Sequence, residues 1–206
     1  MTPQFLFRFI FLTMPANSKK EISKEIAVFG GGCFWCTEAV FKMLKGVISV
    51  EPGYTGGTLQ FPTYEEVSSG ETGHAEVVKV EYDPSQIKYR DLMTVFFASH
   101  DPTTLNRQGD DVGTQYRSII FTSNPEQQKQ AIAFISELNT SSTEGDQVIT
   151  EVTPLKEYYP AESFHQDYFT NHKENMYCLL VINPKLEKVQ KKFAELLKDP
   201  AKHVIQ

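Results

Sequence analysis

The alternation of apolar and polar positions divides the chain into short elements. "KEIAVFGGG" reads as a strand that runs into glycines. "CFWCTEAVFKMLKG" then takes a helical period, with Val40, Met43, Leu44 and Val47 on one stripe and Gly46 near the stop. Cys33 falls at the junction, at the N-terminus of that helix. "VISVEPGYTGG" predicts a second strand, and "TLQFPTYEEVSSGETGH" a long irregular loop. "AEVVKVEYDP" alternates strictly, putting Glu76, Val78, Val80 and Tyr82 on one face. "YRDLMTVFFASHDP" predicts a helix with Leu92, Met93, Phe96 and Phe97 inward, and "TTLNRQGDDVGTQ" another polar loop. "YRSIIFTS" is a strand. "NPEQQKQAIAFISELN" opens a helix on an Asn124 cap with Pro125 in its first turn. "QVITEVTPLKEYYP" predicts a strand and its exit, "AESFHQDYFTNHK" a short helix, and "YCLLVIN" an extended apolar segment. A final amphipathic helix carries Leu186, Val189, Phe193, Leu196 and Leu197. The order β-α-β-β-α-β-α-β predicts an α+β fold, a two-layer α/β sandwich with a ferredoxin-like plait at its core.

The 206 residues suit one domain. We expect residues 1–24 to be an N-terminal extension and 25–206 a single catalytic domain that includes the C-terminal helix. The start, "FLFRFIFLTM", is apolar but interrupted by Arg8 and too short to span a bilayer. It reads either as a weak targeting segment or as sequence upstream of a start at Met14. A net charge of −6 and the lack of a basic stripe with interleaved aromatics argue against nucleic acid. Three cysteines, Cys33, Cys36 and Cys178, are too few for a stapled secreted fold of this length. A reducing compartment, the cytoplasm, is expected, with no membrane partner and a monomeric state.

A thiol at a helix N-terminus faces unpaired backbone N–H groups and the positive end of the helix dipole, so the pKa of Cys33 should fall. The competing reading is a small buried hydrophobe. Cys33-x-x-Cys36 leaves three possibilities open. A zinc half-site needs a second ligand pair, and His74, His100, His165, His172 and Cys178 form no such spacing. A redox pair of the thioredoxin type normally carries different residues inside the spacer. The third possibility is a nucleophile whose next two residues, Phe34 and Trp35, wall an apolar pocket. Two loops add polar groups: Tyr64, His74 and Glu76 from one, Asp111, Tyr116 and Arg117 from the other. A carboxyl among apolar residues has a raised pKa and stays protonated near neutrality. Glu76 with a tyrosine could therefore donate protons to a small oxyanion. His74 and Arg117 are expected to brace the loops.

Taken together, "GGCFWCTE", "GYTGG", "PTYEEVSSGETGHAEVVKVEYDP", "HDPTTLNRQGDDVGTQYRS" and "YYPAESFHQDYF" resemble the A-type peptide methionine sulfoxide reductases. The likeness runs in order from about residue 25 to 170. It implies reduction of the S epimer of methionine sulfoxide, free or in proteins, with thioredoxin as electron donor and no metal or organic cofactor. Cys33 matches the family nucleophile. Phe34 and Trp35 match the wall around the substrate's S-methyl group, and Asp111 a substrate-positioning carboxylate. Tyr64, Glu76 and Tyr116 match the groups around the sulfoxide oxygen. A general thiol–disulfide oxidoreductase or a non-catalytic binding module would have no use for Glu76.

The resemblance is weakest in the resolving thiol. Many family members place it in a flexible, Gly-rich tail, whereas Cys178 here sits in "MYCLLVINPK", which has no glycine. Cys36 is three residues from Cys33. That helical spacing gives Cβ separations of about 5–6 Å, and a disulfide wants about 3.5–4.5 Å. A small distortion of the first turn would close the gap. Cys36 is placed slightly ahead of Cys178, and a relay through both stays open.

Overall fold

The structure, a computed structural model, describes residues 23–141 and 145–198. The apolar start discussed above lies outside the described residues. Strand β1 (Glu25–Gly31) leads into helix α1 (Phe34–Lys42), and β2 (Val47–Thr55) follows. Next come a short α2 (Tyr64–Ser68), β3 (Ala75–Tyr82) and α3 (Tyr89–Ser99). The two-residue strands β4 (Arg107–Gln108) and β5 (Asp111–Val112) pair only with each other. Strand β6 (Ser118–Thr122) and helix α4 (Pro125–Ser141) precede β7 (Glu151–Pro154) and β8 (Tyr159–Pro160). Then follow α5 (Tyr168–Asn171), a π-helical turn over Cys178–Ile182, and α6 (Asn183–Lys192).

Six strands form one mixed sheet in the order β7-β6-β1-β3-β2-β8. The four central strands pair antiparallel, and β7 joins β6 in parallel. Helices α1, α3 and α6 cover one face, packing Phe41, Leu44, Leu92, Phe96 and Val189 onto Phe29, Val78 and Val80. On the other face Val28, Val77, Ile119 and Phe121 are buried with Leu155 and Tyr158 against them. The expected α+β architecture is thus present. Burial on both faces explains why β3 keeps Ala75 and Val77 fully inside, a face that alternation alone marks as outer.

Four local expectations give way. The loop after β2 contains α2, nucleated by a capping box in which the Thr63 side chain accepts from Glu66 N–H and Glu66 reaches back to Thr63 N–H. The short helix of "AESFHQDYF" is two pieces, a turn over Ser163–His165 and α5, separated by Asp167 at φ +55°. "YCLLVIN" is helical, not extended. Cys178 and Ile182 are buried four residues apart, while Leu179 and Leu180 between them face out. A short apolar run carries no period that separates helix from strand. The last helix also stops early, at Phe193, and Leu196 and Leu197 belong to the turn beyond.

Candidate active site

The glycines before Cys33 fix its place. A Cβ on Gly31 would lie 2.8 Å from the Phe96 ring, and one on Gly32 would lie 2.7 Å from Gln108, at a φ of +91° that side chains disfavour. The chain thus turns off the sheet edge sharply enough for Cys33 to become the N-cap of α1. Its carbonyl accepts from the N–H groups of Cys36 and Thr37. Its side chain caps nothing, and the thiol is buried against Cys36 and Tyr177.

The next backbone donor, Phe34 N–H, is one of the orphan donors of a helix start. It donates to Glu76 Oε2 at 3.0 Å. Glu76 arrives from β3, paired with Tyr54 of β2, and is 2 % exposed. Burial pushes its pKa up to about 8, against the pull of the Phe34 N–H, with the Asp111 and Cys36 charges adding to the rise. At neutral pH the carboxyl therefore keeps its proton. Because Oε2 accepts from Phe34, the proton belongs on Oε1.

Tyr64 begins α2 and Tyr116 ends the turn after β5; both are half-buried. Burial raises both phenols, and each feels Glu76, Cys33 and Asp111. They stay neutral donors at any physiological pH. The Tyr64 ring lies stacked 6.5 Å from Phe34.

The apolar wall is built from aromatics. Phe34 is 1 % exposed, with Tyr54 at 5.8 Å and His165 at 5.0 Å between ring centroids. Trp35 is half-buried. It stacks on Tyr168 at 3.6 Å and 5°, meets Tyr177 edge-on at 5.8 Å, and donates its Nε1–H to His165 Nδ1 at 3.0 Å. Asp111 accepts from the Tyr177 hydroxyl at 3.2 Å, and that hydroxyl is 3.8 Å from Cys36 Sγ.

All nine residues singled out from the sequence therefore gather at one place or next to it. Cys33, Glu76, Tyr64, Tyr116 and Asp111 interact directly or through their charges, and Phe34 and Trp35 flank them. Cys36 and Cys178 lie in the same core. All three thiols are free. His74 and Arg117 brace loops as expected: His74 accepts from Gly57 N–H at 3.1 Å, and Arg117 donates to the Thr114 and Gly73 carbonyls.

One expectation is corrected. Burial, together with the hydrogen bond to Cys36, drives the Cys33 pKa up rather than down. The helix end does not offset the loss of water around a thiol 8 % exposed. The lowered thiol is Cys36, brought to about 7 chiefly by the hydrogen bond from Cys33.

Four contributors escaped the sequence reading. Glu162 accepts from Tyr54 Oη and from Tyr64 N–H, which locks Tyr64 in place. His165, Tyr168 and Tyr177 hold Trp35. His165 and Tyr168 lie in a quoted motif, three residues apart with an aromatic neighbour each, and that cluster was a usable signal. Tyr177 carried none, because its role depends on how the tail folds back. Among the described residues no group of three or more His, Cys, Asp or Glu is gathered to hold a metal. None of their helices is long and apolar enough to cross a membrane.

Residues 25–197 match the family model described as peptide methionine sulfoxide reductase. The chain is 55% identical over 174 residues to a protein named peptide methionine sulfoxide reductase MsrA from Saccharolobus solfataricus, covering 84% of this chain and 97% of that one. Among solved structures it is similar to Mxr1 from Saccharomyces cerevisiae in reduced form, with TM-score 0.71 and 34% identity over 75% of this chain and 89% of that one. Mxr1 in complex with Trx2 also matches, with TM-score 0.50 and 26% identity over 70% of this chain and 84% of the other.

Proposed function

Since the chain belongs to the peptide methionine sulfoxide reductase family, we propose that Cys33 attacks the sulfur of the S epimer of methionine sulfoxide while Glu76 protonates its oxygen. The observation that carries this reading is the buried Glu76 carboxyl held at 3.0 Å by the N–H that follows Cys33. A sulfoxide has a polar S–O on an apolar thioether. Its pocket must be greasy on the methyl side and proton-donating on the oxygen side. Phe34 and Trp35 serve the first side. Glu76 Oε1, Tyr64 and Tyr116 serve the second, as a general acid and a pair of oxyanion donors. Asp111 positions the substrate.

The steps balance as follows. Cys33 gives up its proton to solvent, and the thiolate bonds to the sulfoxide sulfur. Glu76 donates its proton to the oxygen. The S–O bond and the new S–S bond then break as hydroxyl passes to the Cys33 sulfur, methionine leaves as the thioether, and Cys33 remains as a sulfenic acid. Solvent reprotonates Glu76.

A second thiol then condenses with the sulfenic acid. Cys36 is the first choice: it is already hydrogen-bonded to Cys33 and more acidic. Cys178 is fully buried in the helical tail and would need the π-helical turn to unwind. Thioredoxin is the proposed reductant of the disulfide, supported by the Mxr1–Trx2 complex. The substrates are free methionine sulfoxide and oxidised proteins. We place the enzyme in the cytoplasm as a monomer, with residues 25–206 as its catalytic domain.

The test is turnover of the two separated sulfoxide epimers with thioredoxin present. The S epimer should be reduced and the R epimer left; equal turnover of both would reject the pocket described. Cys36→Ala should form one methionine per enzyme and then stop, with Cys178→Ala nearly silent. A Cys33–Cys178 bridge found by peptide mapping, with Cys36 free, would reverse that order.

A further inference from the structure

Cys36 is 2 % exposed, yet a resolving thiol must act as a thiolate. Something nearby has to stabilise that buried negative charge. Cys36 shares a narrow cleft, too tight to hold a water molecule, with residues of three elements. Gly31, Thr37 and Val40 line it from the Cys36 side, Ser99 from the end of α3, and Lys185 from α6. Lys185 is half-buried and has no carboxylate within ion-pair distance among the described residues. An ammonium without a carboxylate partner, beside a cleft too tight for water, is screened less than one in bulk solvent and acts on an anion that shares the cleft.

We propose that Lys185 is a positioning residue for the resolving step, its ammonium holding Cys36 as the thiolate that attacks the Cys33 sulfenic acid. In that step Cys36 sulfur bonds to Cys33 sulfur and the Cys33 S–O bond breaks. The hydroxide takes a proton and leaves as water. Cys36 is oxidised and the sulfenic sulfur reduced. The mechanism rests on the reading that Cys36 resolves.

Other groups act on this pair, and the His100 imidazole after α3 feels the Lys185 charge as well. Cys33 and the Tyr177 hydroxyl donate to it and favour the thiolate, while Asp111 opposes it. The charges of Glu76 and Cys178 are each coupled to it, and a negative Cys36 raises both. Lys185 is a cation whose charge favours the Cys36 thiolate. Glu76 is neutral at pH 7, which leaves Asp111 as the standing opponent, already engaged by Tyr177.

The test compares Lys185→Met with Lys185→Arg in a Cys33→Ser, Cys178→Ser background. There Cys36 is the one remaining thiol, and the serine hydroxyl still donates to it. Its thiolate absorbance is titrated directly. Lys185→Met should raise the midpoint by about one unit, and Lys185→Arg should leave it within a few tenths. In the otherwise wild-type enzyme, Lys185→Met should slow disulfide formation after one sulfoxide equivalent by about fivefold at pH 7. The gap should close at alkaline pH, and methionine release should be unchanged. An unshifted midpoint, or the same shift in the Arg variant, overturns the proposal. If Lys185→Met fails to fold, Lys185→Gln makes the same comparison. Peptide mapping of the wild type separates the two readings. A Cys33–Cys178 bridge would remove Cys36 from the resolving step, whereas an unshifted titration would remove Lys185 from Cys36.

Discussion

The β1–α1 junction and the C-terminal arm from Glu162 to Leu197 build the same pocket by different means. At the junction the constraints are backbone ones. Glycines that tolerate no Cβ, a strand register that delivers Glu76, and a first-turn N–H of a new helix fix Cys33 and Glu76 relative to each other. The arm supplies side chains laid over that frame: Glu162 under Tyr64, His165 and Tyr168 around Trp35, Tyr177 between Asp111 and Cys36. The comparison teaches that chemistry is held by main chain, and pocket shape by aromatic packing. Changes at the junction should destroy catalysis, and changes in the arm should grade it.

The sharpest break is Cys33→Ser. The neutral hydroxyl cannot replace a thiolate at sulfur, so turnover should fall by at least about 10⁴-fold with an unchanged melting temperature. Appreciable remaining activity would remove Cys33 from the reaction. Trp35→Ala crosses the boundary between the two regions. It deletes the wall stacked on Tyr168, so KM should rise by about 10- to 100-fold, the worth of an apolar side chain's burial, with a smaller change in kcat. Equal KM values would make Trp35 core alone. Tyr177→Phe should have the smallest effect. It removes one hydrogen bond to Asp111 and the contact with Cys36, which predicts a rise in KM of about three- to tenfold; a loss exceeding about 100-fold would move the arm into the chemistry itself.

The same contrast decided what the sequence could reveal. Gly31-Gly32-Cys33 ahead of a helical period, and Glu76 on an apolar face of an alternating strand, are local patterns with a direct backbone meaning, and both were read correctly. The pKa of Cys33 was misjudged in sign, because helix position is visible in a sequence while burial is a product of the whole fold. "YCLLVIN" reads as extended because six apolar residues in a row carry no period. Its helical state is settled by docking Cys178 and Ile182 into the core. Tyr177 could not be recognised until that segment was folded. Glu162 was missed for the same reason, since its partners Tyr54 and Tyr64 lie about a hundred positions away.

Glu76 carries the central claim, and its burial has a signed consequence for stability. The unfolded carboxyl ionises near 4.5 and the folded one near 8. Between those values the folded state binds the extra proton, so stability falls as pH rises through that window. Glu76→Gln removes the penalty. The variant should melt higher than wild type above pH 8, by up to about 5 kcal/mol in stability, and the gain should vanish below pH 4. The variant is thus expected to be the more stable protein and the poorer enzyme.

The most direct test is the pH profile of methionine formed in a single turnover, wild type against Glu76→Gln. The account predicts a wild-type rate that falls on the alkaline side as the acid proton is lost. The variant should be slower by about 10²–10⁴-fold, with no alkaline fall and a smaller deficit at low pH, where solvent acid substitutes. A variant within about threefold of wild type, or one that keeps the same alkaline fall, would contradict Glu76 as the proton donor.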